Sequence, residues 1–137
     1  MRPFLIGALT FAAWGLLPAP ELAMGAGGRM RAPAAITCDR NQLTSYSGRV
    51  SGYRPGTSRT WLQISTDEDT LEALNIEHAG QPDASARYLL RGEAFPAAGL
   101  SSIESRPGKL IVGMRAVAWV CLDGKTAPLI DWQPPQP

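Results

Sequence analysis

His78 is the one histidine of this chain, and it stands between Glu77 and Ala79-Gly80. An imidazole can act as general base, and a hydrolase would complete it with Asp83 or Glu93 to orient the ring and a nucleophile such as Ser85. The spacing of these residues matches no nucleophile elbow, no zinc-binding helix and no glycine-rich dinucleotide loop. A lone histidine at the end of a strand reads instead as a surface or loop residue. Gly124-Lys125-Thr126 copies the end of a phosphate-binding loop, but Trp119 stands where the first glycine of that loop belongs. Asp67, Asp69 and Glu72 begin like a calcium loop, then lack its glycine and its distal bidentate glutamate, and read as a solvated acidic turn. The sequence carries no metal-ligand set and no cofactor motif.

Charge placement is more informative than any motif. Residues 40–66 hold Arg40, Arg49, Arg54 and Arg59 and no acid, whereas residues 67–83 hold six acids and no Lys or Arg. Arg49 and Arg59 flank a turn at Pro55-Gly56, with Arg54 at its tip and Tyr53 and Trp61 beside it. Guanidinium forks suit phosphate, sulfate or carboxylate, and aromatic rings offer stacking to sugars or bases. The candidate ligand-binding set is therefore Arg49, Tyr53, Arg54, Arg59 and Trp61. The competing reading is that the basic strands neutralise the acidic segment through cross-strand ion pairs.

These residues need a scaffold, and composition bounds it. The chain has 137 residues, 13 Lys and Arg against 12 Asp and Glu, 45% hydrophobic and 18% charged residues. That length suits one domain and that composition supports a core. A formal charge of +1 lacks the basic footprint of a duplex nucleic-acid binder. Residues 4–17 are apolar, follow Arg2 and are stopped by Pro18, Pro20 and Glu21. This is the anatomy of a signal peptide spanning 1–25, too short for a membrane-spanning helix. Residues 26–36 then read as a flexible tail, 37–133 as a single β-rich domain and 134–137 as a Pro-rich tail. Export implies an oxidising compartment, periplasmic or extracellular, and there Cys38 and Cys121 are expected to form one disulfide closing 84 residues.

Within the domain, residues 42–53 alternate as a strand, placing Tyr46, Gly48, Val50 and Gly52 on one side and Ser45, Ser47, Arg49 and Ser51 on the other. Residues 60–66 form the next strand, pointing Leu62 and Ile64 one way and Trp61, Gln63 and Ser65 the other. For 67–77 a capped helix competes with a hairpin turn followed by a strand over 70–77, which is favoured. Residues 82–93, with Asp83 as N-cap and Gly92 as stop, predict a helix of about two turns. Residues 109–122 predict a long strand, Asp123-Gly124 a tight turn and 127–132 the return strand. This order resembles that of OB-fold domains, which implies a small five-stranded barrel, mainly β with one short helix. A split antiparallel sheet packed on one helix is the alternative. The expected function is an exported, non-catalytic binding or interaction module engaging an anionic small molecule, a glycan or a protein. A small secreted hydrolase using His78, and a protein inhibitor or assembly subunit, are the alternatives.

Overall fold

Alternation wins over helix propensity throughout the first half of the chain. The computed structural model describes residues 30–137. There β1 (Leu43–Pro55), β2 (Arg59–Thr66) and β3 (Leu71–Glu77) form an antiparallel meander. The residues after Thr66 turn back because Thr66 Oγ1 accepts the Thr70 amide at 3.0 Å and Asp69 takes a left-handed φ of 63°. That leaves Leu74 and Ile76 to face inward beside Leu62 and Ile64. Burying an Ile or Leu completely contributes about 1.5–3 kcal/mol, more than a short helix over the same residues would gain from propensity.

The second half departs from expectation. No helix forms over 82–93. Asp83 Oδ1 accepts the Ser85 amide at 2.8 Å and starts only a single 3₁₀ turn, Ser85–Arg87. The chain then extends as β4 (Tyr88–Leu90), turns through Arg91 and Gly92, both at left-handed φ, and returns as β5 (Glu93–Ala94). Two consecutive left-handed residues make the tightest hairpin connection, and glycine tolerates that conformation without strain. Tyr88 decides the matter, since its ring is needed in the core and a strand delivers it there.

The expected strand over 109–122 is also interrupted. A further 3₁₀ turn (Gly99–Ser102) leads into a small hairpin of β6 (Glu104–Arg106) and β7 (Lys109–Leu110). After a turn around Gly113 the chain continues as β8 (Arg115–Cys121), and β9 (Leu129–Gln133) returns antiparallel to it. The connection between β8 and β9 is longer than a tight Asp123-Gly124 turn. Asp123 holds it by accepting the amides of Lys125 and Thr126 at 2.9 Å and the Thr126 hydroxyl at 2.7 Å. These donors bring the Asp123 carboxyl down to about 2, the Thr126 amide contributing most. Arg87 braces the same loop, donating to the carbonyls of Ala127 at 2.7 Å and Pro128 at 3.3 Å.

The main sheet has seven strands in the order β3-β2-β1-β8-β9-β4-β5, with β4 parallel to β9 and every other pair antiparallel. Its outermost strands, β3 and β5, do not pair with each other, so the sheet is open and is not the closed five-stranded barrel that the element order suggested. The fold is mainly β and almost free of helix. One face carries the principal core, where Leu62, Ile64, Ile76, Ile103, Ile130 and Trp132 are fully buried and Phe95, Leu100, Leu110 and Ile111 pack against them. Trp132 lies edge-on to Tyr53 at 5.9 Å and Tyr88 at 5.2 Å between ring centroids, a favoured aromatic geometry.

Among the described residues, the opposite face is covered at one end only. There Val117, Trp119 and Leu129 are buried under Ala32, Ile36, Leu43 and Leu89, so ordered packing begins before the expected boundary at 37. The disulfide between Cys38 and Cys121 pins this segment to β8. It places the chain's chemistry in a non-cytoplasmic compartment. The expected leader, residues 1–25, lies outside the described residues. No helix among those described is long and apolar enough to cross a membrane.

Candidate functional site

The uncovered half of the outer face lies on β1, β2 and β3. A β-bulge builds it. Val50 pairs with Ile64, Gly52 pairs with Gln63, and Ser51 is the extra residue between them. Strict alternation would have carried Gly52 to the core and Tyr53 to solvent. The inserted residue reverses both, because a one-residue shift exchanges the two faces of a strand. Tyr53 therefore joins the core against Trp132, and its hydroxyl donates to Glu104 Oε2 at 2.9 Å. Burial, then the neighbouring Tyr88 and Glu104, pushes the Tyr53 phenol far above its ordinary range. Of the five candidate residues, Tyr53 is thus turned away from the other four.

Arg49, Arg54, Arg59 and Trp61 share the outer face. The outward cross-strand pairs run Arg49 with Ser65, Gly52 with Gln63, and Arg54 with Trp61. Continuing onto β3, Arg59 stands beside Glu77, Trp61 beside Asn75 and Gln63 beside Ala73. The Arg54 guanidinium lies 4.7 Å from the centroid of the Trp61 ring. Such a cation–π contact contributes about 0.5–1 kcal/mol at an exposed site and also holds the guanidinium in place. Trp61 lies down across β1 at Gly52, where a Cβ would come within 2.5 Å of the indole edge. Small neighbours therefore let the indole serve as a floor for Arg54.

Among the described residues, the arginines of β1 and β2 make no ion pair, although Glu77 stands across from Arg59. Arg49, Arg54 and Arg59 are exposed and have no carboxylate within ion-pair distance among the described residues. Asp67 instead receives Arg115 of β8, whose Nη2 donates to its two carboxylate oxygens at 2.8 and 2.6 Å. That hydrogen bond holds the Asp67 carboxyl below its ordinary value. Arg115 escaped sequence reasoning because its place beside Arg49 depends on the non-local pairing of β1 with β8. Ser51 and Gln63 complete the row, the serine hydroxyl donating to Gln63 Oε1 at 3.3 Å. The alternation of β2 already pointed Gln63 outward, but nothing besides Gly52 marked Ser51 as a bulge.

His78 is not the surface or loop histidine expected: it is buried, 3% exposed, just beyond the end of β3. The Thr57 carbonyl 3.2 Å from Nδ1 can only accept, so that nitrogen carries a proton, while the Thr60 hydroxyl sits 2.8 Å from Nε2. Both ring nitrogens are thus engaged. No hydrogen bond joins His78 to Ser85, Asp83 or Glu93, and Asp83 spends its carboxylate on the Ser85 amide. No cluster of three or more His, Cys, Asp or Glu side chains suited to a metal ion occurs among the described residues. The chain matches no protein-family model, no curated protein and no solved structure.

Proposed function

We propose that this chain is an exported, non-catalytic binding module whose uncovered sheet face takes an anionic ligand. The observation that carries the reading is Arg54 stacked on Trp61, with Arg49 and Arg59 on the same face and, among the described residues, no carboxylate within ion-pair distance of any of the three. A guanidinium held flat on an indole keeps its donors in plane and loses little entropy when they fork onto a phosphate, sulfate or carboxylate. Gln63 and Asn75 supply neutral donors alongside, as a glycan bearing acidic groups would use. Residues 1–25 act as the leader that delivers the chain to the periplasm or the exterior, in keeping with the disulfide. His78 supports the fold through Thr57 and Thr60 and takes no part in binding.

Retention on an immobilised sulfated glycan tests the reading. Replacing Arg54 and Arg59 together by Ala should lower the salt concentration that elutes the protein and flatten the dependence of affinity on salt, because fewer counterions are displaced. Thermal stability should barely change, since exposed charges contribute less than about 1 kcal/mol each. Elution identical to that of the parent protein would remove this face from consideration.

A further inference from the structure

The seven-stranded sheet has two edges of unequal kind. β5 is two residues long, whereas β3 presents seven residues, regularly paired to β2 on one side and, among the described residues, unpaired on the other. Long edges are usually blunted by Pro, Lys or a bulge. Leu71-Glu72-Ala73-Leu74-Asn75-Ile76-Glu77 contains neither Pro nor Lys, the bulge of this sheet lies on β1, and the charges on this edge are Glu72 and Glu77 alone. Leu71 is 65% exposed at its start.

The hydrogen-bond phase of the edge can be read from the hairpin. Thr66 donates its amide to Thr70 at 2.8 Å and His78 donates to Ser58 at 2.9 Å. Antiparallel strands bond at every second pair, so Glu72, Leu74 and Ile76 bond to β2 between these limits. The amides and carbonyls of Leu71, Ala73, Asn75 and Glu77 therefore point to the free edge. We propose that β3 pairs antiparallel with β3 of a second copy about a two-fold axis at Leu74. In that register Leu71 faces Glu77, Glu72 faces Ile76, Ala73 faces Asn75 and Leu74 faces its own equivalent. All four outward residues find bonding partners, and each acidic side chain opposes an aliphatic one. A slip by one residue matches outward groups with groups already bonded to β2. Moving the axis to Ala73 or to Asn75 sets Glu77 against Asp69 or Leu71 against Ala79, and Asp69 and Ala79 are turn residues outside β3 at left-handed φ that cannot continue the ladder. The edge is thus self-complementary, as an isologous interface requires. This dimer uses the sheet edge and stands or falls independently of the anionic-ligand reading.

The test is light scattering of the exported protein, disulfide intact, from about 5 to 500 µM. The expected result is a monomer–dimer equilibrium, weakened at least about tenfold by Ala73→Pro, which removes a donor that β2 does not use. Leu74→Cys should form a disulfide-linked dimer under mild oxidation, and Asn75→Cys, which faces Ala73 of the other copy, should not. Hydrogen exchange needs no variant: the amides of Leu71, Ala73, Asn75 and Glu77 should be slower in concentrated than in dilute protein. A monomer across the whole range, equal dimerisation of the Ala73→Pro variant, or exchange at these amides that ignores concentration would overturn the proposal.

Discussion

Single residues decide where strands can approach one another, and Gly48 is the sharpest case. It sits in β1 between Thr66 of β2 and Ala116 of β8. A Cβ there would lie 2.7 Å from the Thr66 Cα and closer still to the Ser65 carbonyl oxygen. The obstruction is backbone, which cannot swing aside as a long side chain can. Gly48→Ala should therefore cost about 3 kcal/mol, at the upper end for overpacking, and lower the urea midpoint with the slope unchanged. An unaltered midpoint would show that β1 and β2 can separate freely at this point. Residue type also explains Tyr53: its aromatic character made it look like a ligand contact, and the bulge at Ser51 made it a core residue.

Among the elements, the N-terminal segment and its disulfide do the work expected of a covering layer. Ala32 and Ile36 close the apolar patch of Val117, Trp119 and Leu129, and Cys38 fastens them to Cys121. Loop entropy assigns this cross-link on the order of 4 kcal/mol. Reduction should lower the thermal midpoint and shift the tryptophan emission to the red as Trp119, now 6% exposed, meets water. Emission and midpoint unmoved by reduction would mean that packing alone retains the segment. Strand existence was legible where alternation ran clearly, as in β1 and β2, and was contested for β3, whose hydrophobic spacing fits either period poorly. It was illegible for β4, because three residues carry no period and Asp83 and Gly92 imitate the two ends of a helix.

Across the molecule, the core contains phenols whose titration couples to folding. Burial raises Tyr53 and Tyr88 well above their ordinary value of 10.0 in the folded chain. Unfolded, each loses its proton near 10, so above that pH the unfolded state binds fewer protons than the native one. The stabilisation is complete below pH 10 and is lost as pH climbs toward the native values. Urea midpoints should fall as pH rises above about 10, with the phenolate absorbance contributed by Tyr53 and Tyr88 rising together with unfolding rather than before it. A Tyr53→Phe, Tyr88→Phe variant should lose much of that alkaline slope, and an equal slope in this variant would place the effect elsewhere.

Period-2 patterning, the two cysteines and the segregated arginines are local or compositional features, so the sequence by itself determined a β-rich domain, its disulfide and the outward placing of Arg49, Arg59 and Trp61. Sheet order, the parallel pairing of β4 with β9, the bulge at Ser51 and the ion pair of Arg115 with Asp67 were decided only in three dimensions. Each depends on contacts between residues far apart in the chain. A strand's own pattern says which face it buries, but not which neighbour it will find or whether the sheet will close.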